Sequence, residues 1–174
     1  MTAPTPDEQA QASQLHKFAA ELRGKFLNGT TWIEPLLSEI ITSYFCKRKR
    51  RNRLFFFEIA GEMTLERKGQ LLVKVLKHEF PAMLRNYPLI EQQLGHLRSF
   101  RNLLAHAHID TSRVALQKRT DRDDVTFVRY RKGKTERYRV TRRDAQRRAK
   151  DANELRHALG DIERFVSDEA ADVA

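Results

Sequence analysis

The run Arg101-Asn102-Leu103-Leu104-Ala105-His106 sets a guanidinium, an amide and an imidazole at fixed spacing. A guanidinium can neutralise a phosphate bidentately, an imidazole can move a proton near neutral pH, and an amide between them can orient either. These are groups that cleave RNA without a metal. Spacing alone is a weak signal in a chain so rich in arginine, so the elements that carry these residues must supply the specificity.

Other candidate chemistry is thinner. His16, His78, His96 and His157 lack Cys or carboxylate neighbours at metal-ligand spacing, so neither a metal nor another cofactor is expected. Gly133 stands in a basic turn without the glycine-rich strand-to-helix context of a phosphate loop. The lone Cys46 excludes an internal disulfide and has no histidine partner to make it a nucleophile. Phe55-Phe56-Phe57 could stack on bases, but beside Leu54 and Ile59 it reads first as core or dimer interface.

Charge points towards polyanions. Between Arg113 and Lys150 fall fifteen Lys/Arg against five Asp/Glu, an excess of ten that accounts for the whole net charge of +10. A second cluster, Lys47, Arg48, Lys49, Arg50, Arg51 and Arg53, interrupts an apolar pattern. Such clusters attract nucleic acid by counterion release and steering; the alternative is a solvated face that maintains solubility. The N-terminus opens polar and no apolar run approaches membrane-spanning length, so a soluble cytoplasmic protein with no membrane partner is expected.

At 174 residues with 40% hydrophobic content, the chain is long enough to bury a core. Leu15, Phe18, Leu22 and Phe26 form one apolar stripe of a first helix, from Pro6-Asp7 to Asn28-Gly29. A second helix runs from about Thr31 through Tyr44, with Pro35 in its first turn. Thr64 caps a third, with Leu71, Leu72, Val75 and Leu76 inward and Pro81 stopping it. The helix with the Arg-Asn-His run starts near Pro88, and Ile90, Leu94, Leu97, Arg101, Leu104 and His108 share its stripe. Arg101 and His106 stand about 140° apart on an ideal helix, whereas Asn102 and His106 share a face. Their convergence needs long side chains, a distorted last turn or a second subunit. Alternatively Arg101 pairs with a carboxylate such as Glu62 or Glu91 while His106 caps the helix end.

After Asp110 the period changes to two. Val114 and Leu116, Val125 and Phe127, then Tyr138 and Val140 beyond Lys132-Gly133-Lys134, predict two or three short antiparallel strands. On these strands Arg129 and Arg131 are expected to share a face with Arg137 or Arg139, leaving Tyr130 and Tyr138 towards the bundle or towards bases. Lys132 and Lys134 complete a basic hairpin. Thr141 and Asp144 resemble a capping box that opens a last helix with Leu155, Leu159, Ile162 and Val166 inward. The expected organisation is an all-α bundle over 1–110, a basic hairpin over 111–140, and a C-terminal helix over 141–174 that packs on the bundle, its tail frayed from Ser167.

Up to about Asp110 the chain resembles the HEPN superfamily, compact helical domains that are often dimeric ribonucleases of toxin–antitoxin, anti-phage and other defence systems. Arg101, Asn102 and His106 match its R-x4-6-H motif on a late helix. Trp32-Ile33-Glu34-Pro35-Leu36-Leu37 through Tyr44-Phe45, followed by Leu65 to Leu76, looks like the helical part of bacterial members. The resemblance implies a metal-independent endoribonuclease that works as a homodimer on RNA, with a cognate antitoxin or defence partner possible. His106 is then the catalytic histidine, with His108 the alternative at the looser spacing. In members paired with a nucleotidyltransferase the motif extends to R-x4-H-x-Y; His108 stands where that tyrosine would be, so control by its modification is absent.

Overall fold

The computed structural model describes residues 5–46, 49–117 and 123–171, with the side chains of 49–51 and 170–171 outside the description. The chain is predominantly helical with one small antiparallel sheet. Its order is α1 (Pro6–Thr30), α2 (Ile33–Phe45), α3 (Lys49–Leu54), a π-helical turn (Phe55–Ala60), α4 (Leu65–His78), α5 (Pro81–Asn86), α6 (Ile90–His106), β1 (His108–Ile109), α7 (Arg113–Gln117), β2 (Asp124–Arg131), β3 (Lys134–Thr141) and α8 (Arg142–Ala171). Among the described residues no helix is long and apolar enough to cross a membrane.

Contacts divide the chain into two compact units, Met1–Gly29 with Ser99–Ala149, and Thr30–Arg98 with Lys150–Ala174. The second unit is helical. Ile33, Leu37, Leu72, Leu76 and Ile90 are almost wholly buried there, as are Leu155, Leu159 and Ile162 of α8. Phe80 packs edge-on against Tyr44 and Phe165, and the Tyr87 hydroxyl donates to Asp161 at 2.5 Å. Lys68 is buried beside Glu34 at 3.8 Å, a lysine stem filling core volume where sequence reading expected only apolar groups. Leu71, expected inward, is half-buried, and Val73 takes its place.

Caps set the helix ends. The Thr64 hydroxyl accepts from the Arg67 amide at 3.3 Å and opens α4. Pro81 ends that element as expected, then serves as first residue of α5, where its missing N–H costs nothing. At α8 the Thr141 hydroxyl accepts from the Asp144 amide at 3.0 Å while the Asp144 carboxylate accepts from the Thr141 amide at 3.1 Å. That reciprocal pair is the expected capping box. The helix it opens stays regular to Ala171, so Ser167 is not a frayed end.

The phenylalanine run departs from a core reading. The Gly61 amide reaches back five residues to the Phe56 carbonyl at 2.7 Å, closing a π turn. Phe55 and Phe56 are half-buried, while Phe57, with Leu54, Ile59 and Phe45, is exposed. A Cβ on Gly61 would lie 2.6 Å from the Phe57 carbonyl oxygen, so only glycine fits there.

The first unit joins α1, the end of α6, α7 and the sheet. Phe26 meets Phe100 edge-on at 4.7 Å, and Leu15, Leu22, Leu104, Val125 and Phe127 are buried in the same unit. Glu8 and Arg113 pair through two hydrogen bonds of 2.5 and 3.0 Å. The Arg113 guanidinium holds the Glu8 carboxyl down to about 2.

Residues 113–117 form a helical turn, not the strand that alternating Val114 and Leu116 predicted. The reason is a local cap: the Asp110 carboxylate accepts from the Ser112 amide at 3.1 Å, and the Ser112 hydroxyl accepts from the Ala115 amide at 3.3 Å. A strand would put Val114 and Leu116 on one face, whereas the helical turn separates them, with Leu116 buried and Val114 exposed. The third strand comes instead from His108–Ile109, giving the order β1-β2-β3.

Candidate active site and basic hairpin

Helix α6 delivers the Arg-Asn-His run at its C-terminal end, with His106 its last residue. The Ala107 amide still bonds to the Leu103 carbonyl at 3.0 Å, so the last turn is regular α. Distortion therefore does not bring Arg101 and His106 together. Asn102 and His106 are both exposed on one face, four residues apart, while Arg101 is half-buried and partnered within the fold. Of the two carboxylates considered for Arg101, Glu91 is occupied by Lys77 at 2.9 Å.

His108 does not lie on the helical stripe. It belongs to β1, pairs with Val128 and is exposed. Pairing with β2 captures the chain after Ala107, as Ile109 faces Phe127 and the Asp110 amide donates to the Thr126 carbonyl at 2.8 Å. Ladder hydrogen bonds thus replace the next helical turn.

Sequence reading missed Arg23. Its Nη2 donates to the Ala107 carbonyl at 2.5 Å, and its guanidinium carbon lies 5.2 Å from the Phe127 ring centroid. One arginine of α1 thereby satisfies the carbonyl just past the motif helix and stacks on the sheet core. Its position on α1 carries no sequence signal, because its partners lie 84 and 104 residues away.

The hairpin forms where predicted, closed by Lys132 at φ 49° and Gly133 at φ 73°, the two positive angles of a type I′ turn. Its faces are not those expected. A two-residue loop pairs odd with even positions: Arg131 with Lys134, Arg129 with Glu136, Phe127 with Tyr138. Cross-strand partners share a face, so Arg129, Arg131 and Lys134 lie together with Tyr138. Arg137 and Arg139 lie on the other face with Thr126, Val128 and Tyr130. Neither tyrosine is buried, since Tyr130 is exposed and the Tyr138 hydroxyl donates to Glu136 at 2.7 Å.

Half of the hairpin's cations are neutralised. Arg129 pairs with Glu136 at 3.4 Å, Arg137 with Asp110 at 3.2 Å, and Arg139 with Asp124 at 2.5 Å. The Tyr138 hydrogen bond first, then the charge of Arg129, lowers the Glu136 carboxyl, although burial opposes them. Burial raises the Asp110 carboxyl, but the Ser112 hydrogen bonds and Arg137 outweigh it and the net direction is down. Arg131, Lys132 and Lys134, at the tip, make no direct ion pair among the described residues. Of the second cluster, Lys47 and Arg48 lie outside the described residues, as do the side chains of Arg50 and Arg51.

Beneath Arg137 and Arg139 lies a cleft of about 610 Å³ lined by Leu15, Val114, Ala115 and Val125, and by Asp110, Ser112, Asp124 and Thr126. The two carboxylates are nine-tenths buried and the two arginines above them exposed. Compared with protein-family models, curated proteins and solved structures, the chain matches none.

Proposed function

We propose that this chain is a HEPN-like, metal-independent endoribonuclease that acts as a homodimer, in growth control or defence against phage. The observation that carries the reading is the exposed Asn102–His106 face at the regular end of α6, directly beside Arg101. Two copies meeting at this helix end supply two histidines and two arginines around one phosphate. One His106 takes the 2′-hydroxyl proton as O2′ attacks phosphorus. The P–O5′ bond breaks, and the second His106 gives its proton to O5′, leaving a 2′,3′-cyclic phosphate and a 5′-hydroxyl. Arg101 stabilises the charge that builds on the phosphoryl oxygens, and Asn102 orients the imidazole or the phosphate. His108 is the weaker candidate because its backbone belongs to the sheet. The exposed Phe45, Leu54, Phe57 and Ile59 are apolar surface that self-association or a partner protein can cover.

A non-catalytic nucleic-acid-binding module is the second reading, favoured by the partnered, half-buried Arg101. End-labelled RNA incubated with the purified protein in EDTA separates the two. Cleavage leaving cyclic-phosphate ends, lost in His106→Ala, is the expected result. Retardation without cleavage overturns the nuclease reading.

A further inference from the structure

We infer that the cleft between α7 and the Arg137/Arg139 face of the hairpin is a nucleobase site, taking one unstacked base of a single-stranded RNA. The inference rests on the nuclease reading for the source of that base, and on the cleft itself for the chemistry. About 610 Å³ falls in the usual range for small-ligand pockets. Its apolar walls, Leu15, Val125, Ala115 and Val114, suit the faces of a planar ring.

The polar edge decides which ligand fits. Arg137 meets Asp110, and Arg139 meets Asp124, in each case through Nε. Each guanidinium donates to its carboxylate through Nε and carries Nη donors besides. This edge carries no net charge and offers donors next to acceptors. A phosphate in the cleft would gain from the arginines but meet two buried carboxylates, whose repulsion cancels much of that gain. A neutral heterocycle that both donates and accepts matches every group present, and a nucleobase edge is such a heterocycle. Ser112 and Thr126 add hydroxyls that serve either role.

Position supports a base borne on a strand. Asp110 follows His106 by four residues, so by chain length the cleft begins within about 14 Å of the motif histidine. Tyr130, the most exposed aromatic of the hairpin, shares the Arg137/Arg139 face and can stack on a neighbouring base. Arg131, Lys132 and Lys134 at the tip are the cations left for phosphates. Bases and phosphates are thus sorted onto different parts of one hairpin.

The test uses the full chain carrying His106→Ala, so that no RNA is cut, titrated with adenosine, guanosine, cytidine and uridine and, separately, with inorganic pyrophosphate. At least one nucleoside should shift the methyl resonances of Val114, Ala115, Val125 and Thr126, with an affinity that changes little between low and high salt. Pyrophosphate should leave them unmoved. Arg137→Gln, at an exposed position, should weaken nucleoside binding about tenfold, the loss of one charge-assisted hydrogen bond. An oligoribonucleotide should bind more tightly than its nucleoside. Pyrophosphate shifting these methyls while no nucleoside does, nucleoside shifts elsewhere or none at all, or an oligonucleotide no tighter than its nucleoside, overturns the inference. Loss of the nuclease reading shows separately, as wild-type protein that binds nucleosides here yet never cleaves RNA.

Discussion

His106, the last residue of α6, and Arg23 of α1, which bonds to the carbonyl just beyond it, do different kinds of work. His106 is exposed and contributes nothing to the core, so His106→Ala should abolish RNA cleavage with thermal unfolding within about 0.5 kcal/mol of wild type. Single-turnover cleavage and a thermal melt read the two effects separately; retained activity in His106→Ala with loss in His108→Ala would move the base to the strand. Arg23 is the opposite case. Its hydrogen bond to the Ala107 carbonyl and its stacking on Phe127 hold the backbone just past the end of α6. Arg23→Met keeps the aliphatic stem and removes the donor, leaving the carbonyl unpaired. It should cost about 1–3 kcal/mol in urea unfolding. An unchanged midpoint would show that Arg23 carries no positional load.

At the scale of elements, the hairpin and the capping box make separable predictions. Gly133→Ala forces a side chain into the left-handed region and should destabilise by about 1 kcal/mol, whereas Lys132→Asn, better suited to positive φ, should stabilise. Replacing Arg131, Lys132 and Lys134 with Ser should flatten the salt dependence of RNA binding by about 0.7 per lost contact. Arg129→Ser should leave that slope nearly unchanged, because Glu136 already neutralises it. The capping box gives a pH signature. The Thr141 hydroxyl first, and then its amide, hold the Asp144 carboxyl below its ordinary value of 3.8. A depressed folded pKa contributes stability above the unfolded value and loses it as pH falls through the folded one. Thr141→Ala should therefore cost about 1 kcal/mol at neutral pH. The deficit should shrink on acidification below the ordinary aspartate range, as measured by denaturant midpoints across pH.

For the whole molecule, the regular end of α6 places the strongest demand. Arg101 and His106 stand about 140° apart on that helix, so two copies of α6 are the natural way to surround one phosphate. Sedimentation should give a dimer at micromolar concentration, and mixing His106→Ala with Arg101→Ala protein should not restore cleavage, because the proposed site needs the histidines of both copies. A fully active monomer overturns the two-copy site. Exposed Phe57 and Ile59 supply a separate handle, since Phe57→Ser should leave folding intact and weaken whatever association covers that surface.

Much of this protein is legible in the sequence because much of it is local. The stripe of α1, the caps at Thr64 and Thr141, the inward positions of α8 and the turn at Lys132-Gly133 all depend on residues within four of one another. Short-range hydrogen bonds and side-chain periodicity carry that information. The place of Arg101, Asn102 and His106 at the end of a helix belongs to the same class. What only the tertiary structure decided depends on partners far apart in the chain. Capture of His108 and Ile109 by β2 turned an expected helical stripe into a strand. The parity of a two-residue loop put Arg137 and Arg139 on the face opposite Arg129 and Arg131. Buried Asp110 and Asp124 converted two exposed cations into the balanced rim of a cleft. Composition counts charges, but an ion pair needs two side chains within about 4 Å, and only the folded chain brings them there.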